Sequence, residues 1–301
     1  MGDADPGRLD RILLATDLSA RCDRALDRAV QLAAQWQATL LVVHAVRRER
    51  GVRRHGGDGA PARLAADPLE AIRQRVERDL GDDVAAADIH VEEGEPADVI
   101  LDVAARERCG LVVLGDAREA PAARLHGGTI DALLRRSPGS LLVVKRRPRG
   151  AYRRVLVGTD LTPESMHGLD TAAALFPQAA FTLLHALDIP YESLWLDEAR
   201  RDELVRMEAA TIEAFADRAR LPAELRRGMQ LTVEHGHPEA MLRKRALERD
   251  HDLTVIGAFR RGLAFHLLVG GTTSRIVQAA PTDVLVVRAP ASPGERGSGD
   301  A

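Results

Sequence analysis

The sequence predicts an α/β fold built from two tandem, doubly wound copies of one small parallel-sheet domain. Three observations predict it. Six sequence blocks recur in the same order at an offset of about 143 residues. Each copy alternates short apolar runs with helical patterns. The apolar runs have few polar interruptions, as strands buried on both faces do.

The repeat begins with Leu13-Leu14-Ala15-Thr16-Asp17-Leu18-Ser19, which returns as Leu156-Val157-Gly158-Thr159-Asp160-Leu161-Thr162. Leu41-Val42-Val43-His44-Ala45 returns as Thr182-Leu183-Leu184-His185-Ala186, and Gly94-Glu95-Pro96 as Gly236-His237-Pro238. Leu111-Val112-Val113-Leu114-Gly115 returns as Leu253-Thr254-Val255-Ile256-Gly257. Gly127-Gly128-Thr129 returns as Gly270-Gly271-Thr272, and the Val-rich run after Pro138 as the one after Pro281. A period this long marks duplication of a whole domain, not a solenoid. The expected domains are residues 1–147 and 151–290, followed by a disordered tail at 291–301 rich in Ser, Pro, Gly and charge.

In the first copy the strands are expected near 11–16, 39–46, 88–93, 111–115 and 140–146. Between the first two, Cys22, Leu26, Ala29, Val30 and Ala33 share one helical face, with Ser19 as the expected N-cap. Pro96 stands where the first turn of a helix tolerates proline. Strand-helix alternation implies a parallel sheet with right-handed crossovers. Residues 47–67 read as a mobile loop, whereas the corresponding 188–196, with Tyr191 and Trp195, reads as more ordered.

Composition narrows the function. The chain of 301 residues has a net charge of -3, which argues against binding nucleic acid by bulk charge. Apolar residues make up 45% and charged residues 29%, the balance of a soluble globular protein. No apolar run approaches the ~18 residues of a membrane span, and no signal peptide or myristoylation pattern opens the chain. Cys22 and Cys109 form no C-x-x-C, so a cytoplasmic protein with reduced thiols is expected. His235 and His237 lack the companions of a zinc site, so no metal site is expected. No nucleophile elbow and no Walker lysine occurs, and no catalytic residue is assigned.

In an open α/β sheet, ligands bind where the strands' carboxyl ends meet a reversal of strand order. Asp17 and Asp160 follow strand one, Gly115 and Gly257 end strand four, and the Gly-Gly-Thr elements open the last helix of each copy. In this arrangement the chain resembles a tandem-domain universal stress protein. The family carries an Asp after its first strand, and its nucleotide-binding members carry G-x2-G-x9-G-[ST] after the fourth. The first copy reads Gly115-Asp116-Ala117-Arg118, nine residues, then Gly128-Thr129, with Arg118 in place of the middle glycine. The second reads Gly257-Ala258-Phe259-Arg260, nine residues, then Gly270-Gly271, with Arg260 in that place and Thr272 one position late.

The resemblance implies an adenine-nucleotide α-hydrolase-like fold, with strand order 3-2-1-4-5 in each copy and a pseudo-two-fold between them. It implies that last strands, here 140–146 and 283–288, can pair so that the copies mimic a dimer internally; a homodimer of the chain is the other assembly it allows. It implies a non-enzymatic stress-response role with ATP or AMP in one or both copies, and magnesium only as carried by the nucleotide. By this resemblance Asp17 and Asp160 lie by the adenine, and Val43 and Leu184 help hold the base. Gly115, Arg118, Gly127, Gly128 and Thr129 would face the phosphates in the first copy. Gly257, Arg260, Gly270, Gly271, Thr272 and Thr273 would do so in the second. Glycines admit close backbone approach to an anion, and a helix start adds unpaired N–H groups.

Motif spelling favours the first copy, while charge favours the second: Asp116 and Glu119 make the first loop acidic, and Arg260 and Arg261 make the second basic. Plainer readings stand beside these. Gly-Gly-Thr serves equally as a turn and helix cap, and both aspartates as caps of the helix that follows. His44 and His185 read as satisfied histidines at a strand end. The alternative function is a weak ATPase or nucleotide-dependent enzyme on the same fold; the paired-histidine or lysine-serine signatures of nucleotidyl transfer are not found.

Overall fold

Asp283, at the start of the last strand, has no solvent exposure, and around it the end of the first copy joins the second. The computed structural model describes residues 9–20, 22–47, 68–81, 87–116, 128–187, 198–258 and 270–288. Residues 48–67, 188–196, the tail at 291–301 and the site candidates Arg118, Gly127 and Arg260 lie outside the described residues.

The chain divides into two compact units, one of residues 9–136 and one running from Ser137. In the first unit the elements are β1 (Arg11–Ala15), α1 (Asp23–Trp36), β2 (Thr39–Val46), α2 (Pro68–Leu80), β3 (Asp88–Glu93), α3 (Pro96–Arg106), β4 (Leu111–Gly115) and α4 (Thr129–Arg136). The strands lie in the order β3-β2-β1-β4, each pair parallel, with Ala15 level with Val43 and Leu114. Ile12, Leu13, Leu14, Leu41, Val42 and Val113 are fully buried, because a sheet covered by helices hides both faces of its central strands. The edge strand β3 is only half-buried, and its Glu92 pairs with Arg106 of α3. Charge of this kind keeps an edge from pairing with another chain.

The second unit contains β5 (Ser140–Val144), β6 (Arg154–Thr159), α5 (Pro163–Leu175), β7 (Ala180–Leu187), α6 (Glu198–Arg218), α7 (Ala223–Gly228), β8 (Gln230–His235), α8 (Pro238–Glu248), β9 (Leu253–Ala258), α9 (Gly270–Ala279) and β10 (Asp283–Arg288). Its order is β8-β7-β6-β9-β10, which is 3-2-1-4-5 counted within the copy, with every neighbouring pair parallel. β5, the last strand of the first copy, then pairs antiparallel with β10, Leu142 opposite Leu285. The two last strands thus meet as expected. Among the described residues no helix is long and apolar enough to cross a membrane.

Three local expectations are corrected. Ser19 does not cap α1; Cys22 is its N-cap, and no side chain accepts there. The buried face of α1 runs through Ala25, Arg28, Ala29, Leu32 and Ala33, with Leu26 and Val30 at its margins, because the helix starts later than a Ser19 cap implies. β5 ends at Val144, not residue 146, because the N–H groups of Lys145 and Arg146 turn to the Asp283 carboxylate at 2.8 and 2.9 Å.

Candidate functional site

Each copy leaves its first strand through the same turn. In the first, the Thr16 hydroxyl accepts the Leu18 N–H at 3.0 Å, and Asp17 Oδ1 accepts the Ser19 N–H at 2.9 Å. In the second, the Thr159 hydroxyl accepts the Leu161 N–H at 2.9 Å, and Asp160 Oδ1 accepts the Thr162 N–H at 3.3 Å and its hydroxyl at 2.5 Å. The middle residue is left-handed in both: Leu18 has φ 59° and Leu161 φ 63°. Leucine adopts that conformation at a cost of about 1–2 kcal/mol, so these side-chain acceptors hold the turn against its preference.

The strand-two histidines reach the same point. His44 Nδ1 lies 3.0 Å from the Thr16 carbonyl oxygen, and His185 Nδ1 lies 2.9 Å from that of Thr159. Val43 and Leu184 are buried in β2 and β7, and the Val43 carbonyl already accepts the Thr16 N–H at 3.0 Å. The aspartates themselves are exposed. Burial works to raise the Asp17 carboxyl pKa, but hydrogen bonds from Ser19 and Cys22 outweigh it and hold the group below its ordinary value. The Cys22 thiol, 3.1 Å from Asp17 Oδ1, is pushed up to about 11, chiefly by burial, and Cys109 is likewise raised to about 11. Both thiols are therefore protonated near neutral pH and unsuited to attack.

The two helices after the fourth strand differ where an anion would arrive. α4 opens at Thr129, with Gly128 before it and Asp131 in its first turn. α9 opens at Gly270-Gly271-Thr272 with no acid in its first turn. There Arg275 Nη2 donates to the Thr272 hydroxyl at 3.0 Å, while its Nε pairs with Glu239 Oε1 at 2.9 Å. A Cβ on Gly271 would come within 3.1 Å of that guanidinium, so glycine lets the arginine lie along the helix start. Thr273 is half-buried beside them.

Gly115 is buried at the end of β4, and Gly257 stands near the end of β9. Gly257 has a packing reason of its own. A Cβ there would meet the Glu164 carbonyl oxygen at 2.2 Å, and one on Gly168 would meet the Gly257 nitrogen at 3.0 Å, so α5 crosses β9 backbone to backbone. Asp17, Val43 and Gly115 thus lie toward the carboxyl ends of the first copy's strands, and Asp160, Leu184 and Gly257 toward those of the second copy's strands. Sequence reasoning missed Arg275, and it read the strand-two histidines as satisfied without naming the carbonyls that satisfy them. Arg275 carried a usable signal, since a basic residue four positions after Gly271 falls on the same helix face. Among the described residues no group of three or more His, Cys, Asp or Glu is placed to hold a metal.

The sequence matches the Universal stress protein family twice, over residues 8–145 and 151–288, which is nearly its whole length. The chain belongs to that family. Solved structures share the fold across both copies. A universal stress protein from Archaeoglobus fulgidus is 16% identical with a TM-score of 0.62, covering 94% of this chain and 98% of that one. A putative universal stress protein from Pseudomonas aeruginosa is 20% identical with a TM-score of 0.60, covering 94% of each chain. A second P. aeruginosa protein, described as functionally unknown, is 19% identical with the same score and coverage. No curated protein matches the chain. At these identities the structural likeness speaks for the fold of this universal stress protein, and the chemistry rests on its own residues.

Proposed function

We propose that this universal stress protein is a non-enzymatic regulator that binds an adenine nucleotide, ATP or AMP, at the carboxyl ends of its strands, with the second copy as the principal site. One observation carries the choice of copy. The α9 N-terminus, the Thr272 hydroxyl and the guanidinium of Arg275, which Glu239 of α8 holds in place, come together there, and no acid lies in the first turn itself. A phosphate gains from all three. α4 opposes an anion with Asp131 in the equivalent turn.

On this reading Asp160 meets the base, the β7 backbone near Leu184 flanks it, and Gly270, Gly271, Thr272 and Thr273 receive phosphate oxygens. A non-enzymatic role is supported by how the polar groups are employed. Asp160 is engaged by Thr162, the His185 ring by a carbonyl, and both thiols are held protonated. The thiols are thus poor nucleophiles, and the aspartate and the histidine Nδ1 are spent on holding the turn.

Titration of the full chain with fluorescent ATP and AMP analogues, with phosphate release followed in the same samples, tests both parts. Saturable binding without turnover is expected. No binding at millimolar nucleotide removes the ligand, and steady phosphate release removes the non-enzymatic reading.

A further inference from the structure

We infer that His44 and His185 are positioning residues, which hold the strand-exit turns that present Asp17 and Asp160 by donating Nδ1–H to the Thr16 and Thr159 carbonyls. The part of this that concerns ligand affinity rests on the nucleotide reading above. The turn itself does not.

A carbonyl oxygen only accepts, so the ring nitrogen 3.0 Å from Thr16 O, and the one 2.9 Å from Thr159 O, must carry the proton. Each neutral ring is then the Nδ1–H tautomer, with Nε2 as the bare nitrogen. Protonation adds a hydrogen at Nε2 and leaves the donor at Nδ1 in place. In the second copy the outward nitrogen faces Glu208 of α6, Nε2 to Oε2 being 3.9 Å, with only 13% of the His185 side chain exposed. The Nδ1 bond to the Thr159 carbonyl, and not this longer approach, sets which edge of the ring points inward.

The carbonyl chosen matters. It belongs to the peptide that joins Thr16 to Asp17, or Thr159 to Asp160. Fixing the plane of that peptide fixes the direction in which the next residue leaves the strand. The same threonine holds the far side of the turn, its hydroxyl accepting the N–H of the left-handed leucine. One residue is thus gripped at carbonyl and hydroxyl, and the aspartate sits between the two grips.

The arrangement occurs twice, although the capping beyond it differs. Cys22 precedes α1 as an N-cap without a side-chain bond, whereas α5 is capped by Thr162, whose hydroxyl accepts from Ser165 N at 3.3 Å. Besides the aspartate's own bond to the N–H two residues on, the copies share the histidine bond and the threonine bond. The histidine bond is therefore not a by-product of one capping scheme. Losing it strands a carbonyl at a half-buried site and frees a strained turn.

The experiment uses the full chain and the variants His44→Ala, His44→Asn, His44→Gln, His185→Ala, His185→Asn and His185→Gln. Asparagine places an N–H donor near the position of Nδ1; glutamine places one near Nε2. Three readouts are taken: the ¹⁵N signals of both imidazoles, the titration of the Asp17 carboxyl by NMR, and the affinity for a fluorescent ATP analogue. We expect the Nδ1–H tautomer at both rings in the parent. His44→Ala and His44→Gln should move the Asp17 titration up toward the ordinary carboxylate range, while His44→Asn leaves it low. His185→Ala should weaken ATP binding by about tenfold, the cost of one lost hydrogen bond with an orphaned partner, and His185→Asn by no more than about twofold.

The Nε2–H tautomer at the two rings overturns the inference. So do folded alanine variants in which neither the Asp17 titration nor the ATP affinity moves. If the alanine variants fail to fold, the contrast between asparagine and glutamine decides. If the parent binds no nucleotide, the nucleotide reading fails alone, and the Asp17 titration still tests the histidine's role.

Discussion

The Tyr152 hydroxyl donates to Asp283 Oδ2 at 2.6 Å, and both residues are buried, Tyr152 at 4% and Asp283 at 0% exposure. The other carboxylate oxygen takes the N–H groups of Lys145 and Arg146. The Lys145 ammonium meanwhile donates to the Val277 and Ala280 carbonyls at 2.5 Å each. The segment that links the copies is therefore built into the second unit. Asp283→Ala should cost about 3–5 kcal/mol, because it strands one buried and two part-buried donors at once. Tyr152→Phe should cost about 1–2 kcal/mol. Urea unfolding of the two variants and the double variant reads the coupling, and the double variant should fall short of the sum of the singles.

Gly257→Ala should destabilise by about 3 kcal/mol, toward the upper range for overpacking. The new methyl would stand 2.2 Å from the Glu164 carbonyl, which is helix backbone and cannot swing aside. Because the strain falls between α5 and β9, nucleotide affinity and thermal midpoint should decline together. A midpoint unchanged within a degree would contradict the close crossing.

Gln37 ends α1 in the left-handed conformation, φ 53°, with its side chain exposed. Gln37→Gly should therefore stabilise the chain by about 1 kcal/mol, since glycine takes that conformation freely and the side chain gives up little contact. The check is a higher urea midpoint with an unchanged slope.

His251 and His167 should make the protein acid-sensitive. Burial lowers the pKa of both rings below the ordinary 6.5, so the folded state favours the neutral form. The unfolded chain then binds more protons as pH drops through about 6.5, and stability falls with it until the lowered folded pKa values are passed. His251 shows why: its Nδ1 donates to the Arg245 carbonyl at 3.2 Å and its Nε2 accepts from the Thr182 hydroxyl at 3.0 Å, an arrangement suited to the neutral ring. Unfolding midpoints at pH 7.5 and 5.5 should differ, and His251→Asn should narrow the difference.

Much of this fold is legible in sequence because central parallel strands leave little choice of residue. β2, β3, β4 and β10 occupy the residues that their apolar runs suggested. What escaped notice depends on partners far along the chain. Nothing near Val144 signals that β5 will stop there, since the carboxylate that draws off the next two N–H groups comes from Asp283. Asp17 and Asp160 were legible as strand-exit residues, but the bonds of His44 and His185 were not, because their acceptors are backbone carbonyls on a neighbouring strand. Gly257 shows the opposite failure: its place in a phosphate-loop pattern concealed a role in helix packing.

The most direct test of the nucleotide site is an amide ¹H–¹⁵N map of the full chain with and without saturating ATP. The expected result is a set of shifts clustered at Asp160, Gly257, Gly271 and Thr272, with smaller changes at Asp17 and Thr129. Shifts confined to the opposite edge of the second sheet, around Asp252 and Arg154, or no saturable shift at all, would contradict a nucleotide site at the carboxyl ends of the strands.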